Sequence, residues 1–136
     1  MSNRQKEVGC MGRFVNPDNS AFQVILNSDI YVDKTELLAY TNKALNTDRA
    51  MICNSRPRRF GKSITANMLT AYYSRGCDSD AMFADLAISK TESYKKHLNK
   101  YDVIHLDIQW FLANCDNVDN VIAFITKSVQ AELREI

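Results

Sequence analysis

A chain of 136 residues with 46% hydrophobic content has the length of one domain at most and can bury a core, which excludes a disordered polypeptide. Seventeen basic residues against sixteen acidic ones give a formal charge of +1, so any role at nucleic acid or an anionic membrane has to be local rather than global. The four cysteines, Cys10, Cys53, Cys77 and Cys115, stand far apart with no C-x-x-C pair and no nearby histidine, which excludes a zinc cage or a disulfide framework.

Reduced thiols and a cytoplasmic location are expected. The opening MSNRQKEVGC has no apolar core of signal-peptide length, and no later run has the length of a membrane span. No membrane partner is expected. Residues 1–20 are polar, with the turn cluster Asn16, Pro17, Asp18 and Asn19, and read as an N-terminal arm. Phe22 to Leu26 suits either a short strand or a helical turn.

In IYVDKTELLAYTNKAL, Asp33 with Glu36 three residues on has the form of a capping box, and Leu37, Leu38, Thr41, Ala44 and Leu45 share one helical face. The pattern predicts a helix from about Lys34 to Leu45. Ala50 to Asn54 is a short apolar run of the kind that forms a buried parallel strand. Beyond it Ile64, Met68, Ala71 and Tyr72 repeat at helical spacing, predicting a helix from about Lys62 to Ser74 that stops near Gly76. CDSDAMFADLAIS reads as a linker around one helical turn, and TESYKKHLN as a second short helix.

YDVIHLDI reads as another strand, centred on Val103 to Ile108, followed by a loop at QWFLANCDN. Val118, Ile122, Ile125, Val129 and Leu133 then mark a strongly amphipathic helix. Strand, loop and helix in this order predict an α/β fold, the N-terminal portion of a P-loop NTPase domain with a parallel sheet and flanking helices. Two strands would leave open edges, so residues 21–136 are expected to be part of a domain whose C-terminal remainder lies in a longer protein.

The stretch between the first strand and its helix, SRPRRFGKSIT, carries the chemistry. Gly61, Lys62 and Ser63 match the end of the phosphate-loop pattern G-x-x-x-x-G-K-[ST], while Arg56 stands where its first glycine belongs. Phosphate binding depends on the second half of the loop, where main-chain N–H groups converge at the positive end of a helix. By register those donors belong to Arg59, Phe60, Gly61, Lys62 and Ser63. Pro57, without an N–H, falls outside them. Lys62 can reach the outer phosphates and is the catalytic candidate; the Ser63 hydroxyl is placed to ligate Mg²⁺. Arg56, Arg58 and Arg59 can clamp phosphate oxygens, or can form a solvated basic tip. The predicted site is Arg56 to Ile64, with ATP and Mg²⁺ as cofactors.

Two motifs, YVDKTELL and RPRRFGKS, followed by MLTAYYS, MFADLAIS and YDVIHLDI, together resemble the bacterial AAA-ATPase-like family, whose members often carry a PD-(D/E)XK nuclease-like region at the C-terminus. The resemblance covers about Phe22 to Ile108. In that family the phosphate loop itself reads Arg-Pro-Arg-Arg-Phe-Gly-Lys-Ser, so the missing glycine is a family trait. It implies an ATP-type site formed by Arg56 to Ser63, with ATP hydrolysis in the full-length protein. It also places Tyr31 to Thr35 near the base or ribose. Asp33 and Lys34 are the candidates there, Asp33 serving equally well as a helix cap.

Asp107, at the end of the second apolar run, stands where a magnesium-binding carboxylate would. His105 interrupts that run, however, and Ile108 and Gln109 follow where hydrolytic ATPases place a glutamate. The resemblance puts the family's Asp-Glu segment beyond Ile136, so Asp107 is left out of the predicted site. His97 and His105 are expected as packing or surface residues, and Tyr101, Trp110 and Phe111 as core or interface. Two further readings stay open: a nucleic-acid-binding module gripping phosphates with the loop arginines, and a regulatory domain that binds nucleotide without turnover.

Overall fold

Phe22, open to either a strand or a helix by its neighbours, lies fully buried on a helix. The computed structural model describes residues 12–55 and 62–135. Within them α1 (Ser20–Leu26), α2 (Glu36–Ala44) and α3 (Lys62–Tyr73) lead into α4 (Asp80–Phe83), a 3₁₀ turn at Ala87–Lys90 and α5 (Tyr94–His97). Then come α6 (Ile108–Ala113), a 3₁₀ turn at Val118–Asn120 and α7 (Val121–Arg134).

Helix α3 is the post around which the rest is assembled. Met68, Ala71 and Tyr72, three and four residues apart, turn one face inward onto Phe22 of α1, Leu38 of α2, Phe83, Ile88 and Tyr94. Phe22 stacks on Phe83 at 5.1 Å between ring centres, and Tyr72 meets Phe83 edge-on at 5.5 Å. A polar seam crosses this apolar centre. Buried Asn42 of α2 donates to the hydroxyl of Tyr72 (3.0 Å) and accepts from that of Tyr73 (2.6 Å), so the buried phenol of Tyr72 and the half-buried one of Tyr73 both have partners.

The C-terminal end of α3 is closed by side chains far along the chain. Asn99, at a φ of 52°, donates through its amide to the carbonyls of Ala71 (2.9 Å) and Ser74 (2.7 Å). Ser79 Oγ also donates to Ala71 (2.7 Å). Those carbonyls would otherwise end the helix without partners. Gly76 follows because the Asn16 carbonyl oxygen occupies the space a Cβ would need.

A second, smaller centre is aromatic. Phe111 of α6 is fully buried among Phe14 (5.0 Å), Trp110 (5.1 Å) and Phe124 of α7 (5.3 Å). Phe14, Val15 and Asn16 are buried, so the chain from Gly12 onward packs on the body. No described helix is long and apolar enough to cross a membrane.

The parallel sheet of the expected α/β P-loop fold is not formed. Among the described residues there is no β-strand, only two isolated bridges, Val15 with Ile104 antiparallel and Ser74 with Tyr101 parallel. Residues 50–55 have no regular structure and are exposed, Met51 by 98%. The physical reason is that a strand, unlike a helix, cannot satisfy its own N–H and C=O groups. Among the described residues the apolar run at Ala50 to Asn54 pairs with no neighbouring strand, Ala50 bonding back to Thr47 O at 3.3 Å, and the run at Val103 to Ile108 spends its hydrogen bonds on Phe14 and Asn16 instead: His105 N–H to Phe14 O at 2.8 Å and Asn16 N–H to Val103 O at 2.7 Å.

Other expectations shift in detail. The loop expected at QWFLANCDN is largely α6, whose N-cap is Asp107, its carboxylate accepting the Trp110 N–H at 3.3 Å. The capping box at Asp33 and Glu36 does not form, because Thr35 occupies the N-cap position of α2. The last helix exists, yet Val118, Ile122 and Leu133 of its expected apolar face are exposed.

Candidate functional site

Lys62 and Ser63 begin α3, and both are exposed. Their helix is held by its inner face and its far end, which fixes the place at which Lys62 and Ser63 are presented. Successive residues of a helix are set about 100° apart, which sends the first turn's neighbours to two flanks. Ala66 and Asn67 go with Lys62 and Ser63; Ile64, Thr65 and Met68 go to the other side.

The first flank opens on a cleft of about 500 Å³, lined by Lys62, Ser63, Ala66, Asn67 and, across from them, residues 105–109. Asp107 therefore lies in the same hollow as Lys62 and Ser63, although it is 44 positions away in the sequence. His105 holds the two walls together, its Nδ1 lying 3.0 Å from Thr70 Oγ1 of α3. Main-chain bonds from Asn99 to Tyr72 (2.7 Å), Tyr101 to Tyr73 (3.0 Å) and Arg75 to Tyr101 (2.9 Å) bring the chain alongside the end of α3 first.

The second flank holds a pocket of about 310 Å³ with a mainly apolar lining: Ile25, Ile30, Tyr31, Val32, Ile64 and Met68, joined by Ser28, Lys34 and Thr65. Its size is at the lower end for sites that enclose small organic molecules. Burial raises the pKa of the Tyr31 phenol, with the nearby Asp33 carboxylate adding to the effect and the Lys34 main chain opposing it.

Lys34 lines this pocket; Asp33 does not. The Asp33 carboxylate is engaged elsewhere, accepting the Thr35 N–H (2.8 Å) and hydroxyl (2.6 Å) on one oxygen and the Ala87 N–H (2.8 Å) on the other. Burial acts to raise its pKa, but the Thr35 and Ala87 hydrogen bonds and the charge of Lys90 outweigh that and hold it below the usual carboxylate value. Asp33 ties the entrance of α2 to the 3₁₀ turn at Ala87–Lys90.

Of the residues expected at the site, Lys62, Ser63, Ile64 and Lys34 surround the first turn of α3. Arg56, Pro57, Arg58, Arg59, Phe60 and Gly61 lie outside the described residues. Sequence reasoning assigned no site role to Asn67, Met68 or His105 and set Asp107 aside. Asn67 was legible in principle, four positions after Ser63 on a helix; His105 was not, since its bond to Thr70 depends on how the chain returns along α3.

Among the described residues no cluster of three His, Cys, Asp or Glu side chains forms a metal cage. Magnesium carried by phosphates needs none, since it keeps several waters and takes only one or two protein oxygens. Ser63 and Asp107 in one cleft provide such oxygens.

No curated protein and no solved structure matches the chain significantly. A family model does, over residues 19–136, and its description reads "Predicted AAA-ATPase". The match takes in both motif segments, the whole of α1 through α7 and both hollows beside α3, and the chain belongs to the AAA-ATPase-like family.

Proposed function

We propose that this chain binds ATP with Mg²⁺ at the first turn of α3 and forms the nucleotide-binding part of an ATPase. The observation that carries the reading is the position of Lys62 and Ser63 on an anchored helix, between an apolar pocket on one side and a polar cleft containing Asp107 on the other. An adenine ring is flat and largely apolar on its faces, which suits the lining by Tyr31, Ile64 and Met68. A triphosphate suits the other flank, where the helix N-terminus and Lys62 offer positive charge.

Lys62 would hold the outer phosphates and Ser63 the metal, with Asp107 as a further oxygen ligand acting directly or through water. When bound, Mg²⁺ neutralises phosphate charge that builds up as the terminal phosphoryl group leaves. Gln109, in the same cleft, would orient a water by hydrogen bonding, while His105 keeps the Asp107 wall against α3. Turnover of the bound nucleotide is part of the same reading, and a cytoplasmic location is consistent with a nucleotide ligand. The nucleic-acid reading depends on Arg56, Arg58 and Arg59, and no observation on the described residues favours it.

The test is isothermal titration with MgATP. Lys62→Ala is expected to weaken binding about 100-fold or more, the scale of a lost charge-assisted phosphate contact together with the charge itself. Unchanged affinity would overturn the assignment. Asp107→Asn keeps a good helix cap, so the fold should persist while the Mg²⁺ concentration needed for ATP binding rises; no rise removes Asp107 from the site.

A further inference from the structure

Arg13 precedes the family match and takes no part in the loop, yet its side chain reaches the site's edge. Its guanidinium carbon lies 3.9 Å from the centre of the Trp110 ring and 5.4 Å from that of Phe14. With Phe14, His105, Asp107 and Trp110 it lines a hollow of about 160 Å³. That hollow shares His105 and Asp107 with the larger cleft of Lys62 and Ser63. Arg13 and Lys62 thus line two adjoining hollows that share the Asp107 carboxylate.

The main chain beneath Arg13 is fixed. Its N–H and those of the next two residues are all received by the Glu132 carboxylate of α7. Its guanidinium, by contrast, makes no ion pair among the described residues, where the ion pairs are Arg75 with Asp102 and Lys95 with Asp80. A surface cation resting on an aromatic face is weakly held. It can exchange that contact for phosphate oxygens, which a planar guanidinium grips through two donors at once.

We propose that Arg13 is a specificity-determining residue of the nucleotide site: it leaves Trp110 to contact the terminal phosphate of a nucleoside triphosphate, and so separates the triphosphate from the diphosphate. This rests on the nucleotide reading above. Lys62 serves both nucleotides from its place on α3, whereas Arg13 comes from across Asp107, where only the longer phosphate chain extends. Arg13 supplies the positive charge that offsets the negative charge the added phosphate brings into a cleft already containing Asp107.

The test compares binding of a non-hydrolysable MgATP analogue with that of MgADP to the full chain. Arg13→Gln is expected to weaken the analogue about tenfold, the scale of one charge-assisted contact, and to leave MgADP within about twofold. Arg13→Lys should recover part of the loss. Trp110 is the chain's single tryptophan, so its emission in the unsubstituted protein reports the departure directly. A change with the analogue and none with MgADP is expected. Equal losses for both nucleotides, no loss, or identical emission changes would overturn the proposal while leaving the site assignment intact. Failure of the unsubstituted chain to bind either nucleotide would remove both readings together.

Discussion

Glu132, near the end of α7, receives the main-chain N–H of Phe14 on both carboxylate oxygens, at 3.2 and 2.9 Å, across 118 positions of sequence. The flanking amides of Arg13 (2.7 Å) and Val15 (2.8 Å) complete the set. Three consecutive N–H groups converging on one anion form a small nest, held here by the chain's own carboxylate.

Hydrogen bonds to a charged group contribute about 1.5–3 kcal/mol where they are shielded from water. Glu132→Ala should therefore lower the unfolding free energy by about 1–3 kcal/mol. Glu132→Gln should lose most of the same amount, because its NH₂ faces donors. Gly12→Ala should strain the same clamp, since a Cβ there meets Glu132 Oε2 and the Val15 carbonyl. Urea denaturation followed by circular dichroism measures all three; a shift below about 0.5 kcal/mol for Glu132→Ala would show that the clamp is not holding.

Asp33 gives the acid side of the stability profile a definite sign. Against the effect of burial, the Thr35 and Ala87 hydrogen bonds hold its folded pKa below the usual carboxylate value, so the folded form binds fewer protons than the unfolded chain. Its contribution is then full above the unfolded pKa and disappears as pH falls through the folded one. The stability gap between the wild-type chain and Asp33→Asn should narrow on going from about pH 6 to about pH 3. A gap independent of pH would contradict the tie between Asp33, Thr35 and Ala87.

The alkaline side has the opposite origin. Burial pushes the Tyr73 phenol up to about 12, offset in part by its bond to Thr41 and reinforced by the neighbouring Tyr72 and Tyr101. Burial also raises Tyr31, Tyr72 and Tyr94. A raised folded pKa stabilises fully below the unfolded value and is lost as pH climbs through the folded one, so unfolding should become easier between about pH 10 and pH 12. Ultraviolet titration should show fewer than the chain's six tyrosines ionising near pH 10, the rest appearing with unfolding. Six phenols titrating together at pH 10 in folded protein would argue against the packing of α2 on α3.

Helices were legible where their information is local. Met68, Ala71 and Tyr72 have helical spacing whatever surrounds them, and α3 ends within one residue of the expected boundary. The sheet was not legible, because whether Val103 to Ile108 pairs with a neighbouring strand or with Phe14 and Asn16 depends on what else reaches it. Asp107 shows the same limit at the site. Its spacing from Lys62 says nothing about proximity; the bond from His105 to Thr70 makes them neighbours. Asp33 was legible as a residue with a local task and misread as to which one. The Thr35 contact is two residues away, whereas the Ala87 contact, 54 residues away, leaves no trace in the pattern.

The closure of α3 by Asn99 and Ser79 has a bearing on how a ligand could act on this protein. Carbonyls at Ala71, Tyr72, Tyr73 and Ser74 are all engaged from outside the helix, so its far half cannot tilt or unwind without breaking bonds to two other segments, the one at Ser79 and the one from Asn99 to Tyr101. Amide hydrogens there should exchange with solvent slowly and those of the exposed first turn quickly. A bound ligand would then act on the side chains that wall the two hollows, around Tyr31 and around Asp107, rather than on the helix itself, which serves as a stationary axle.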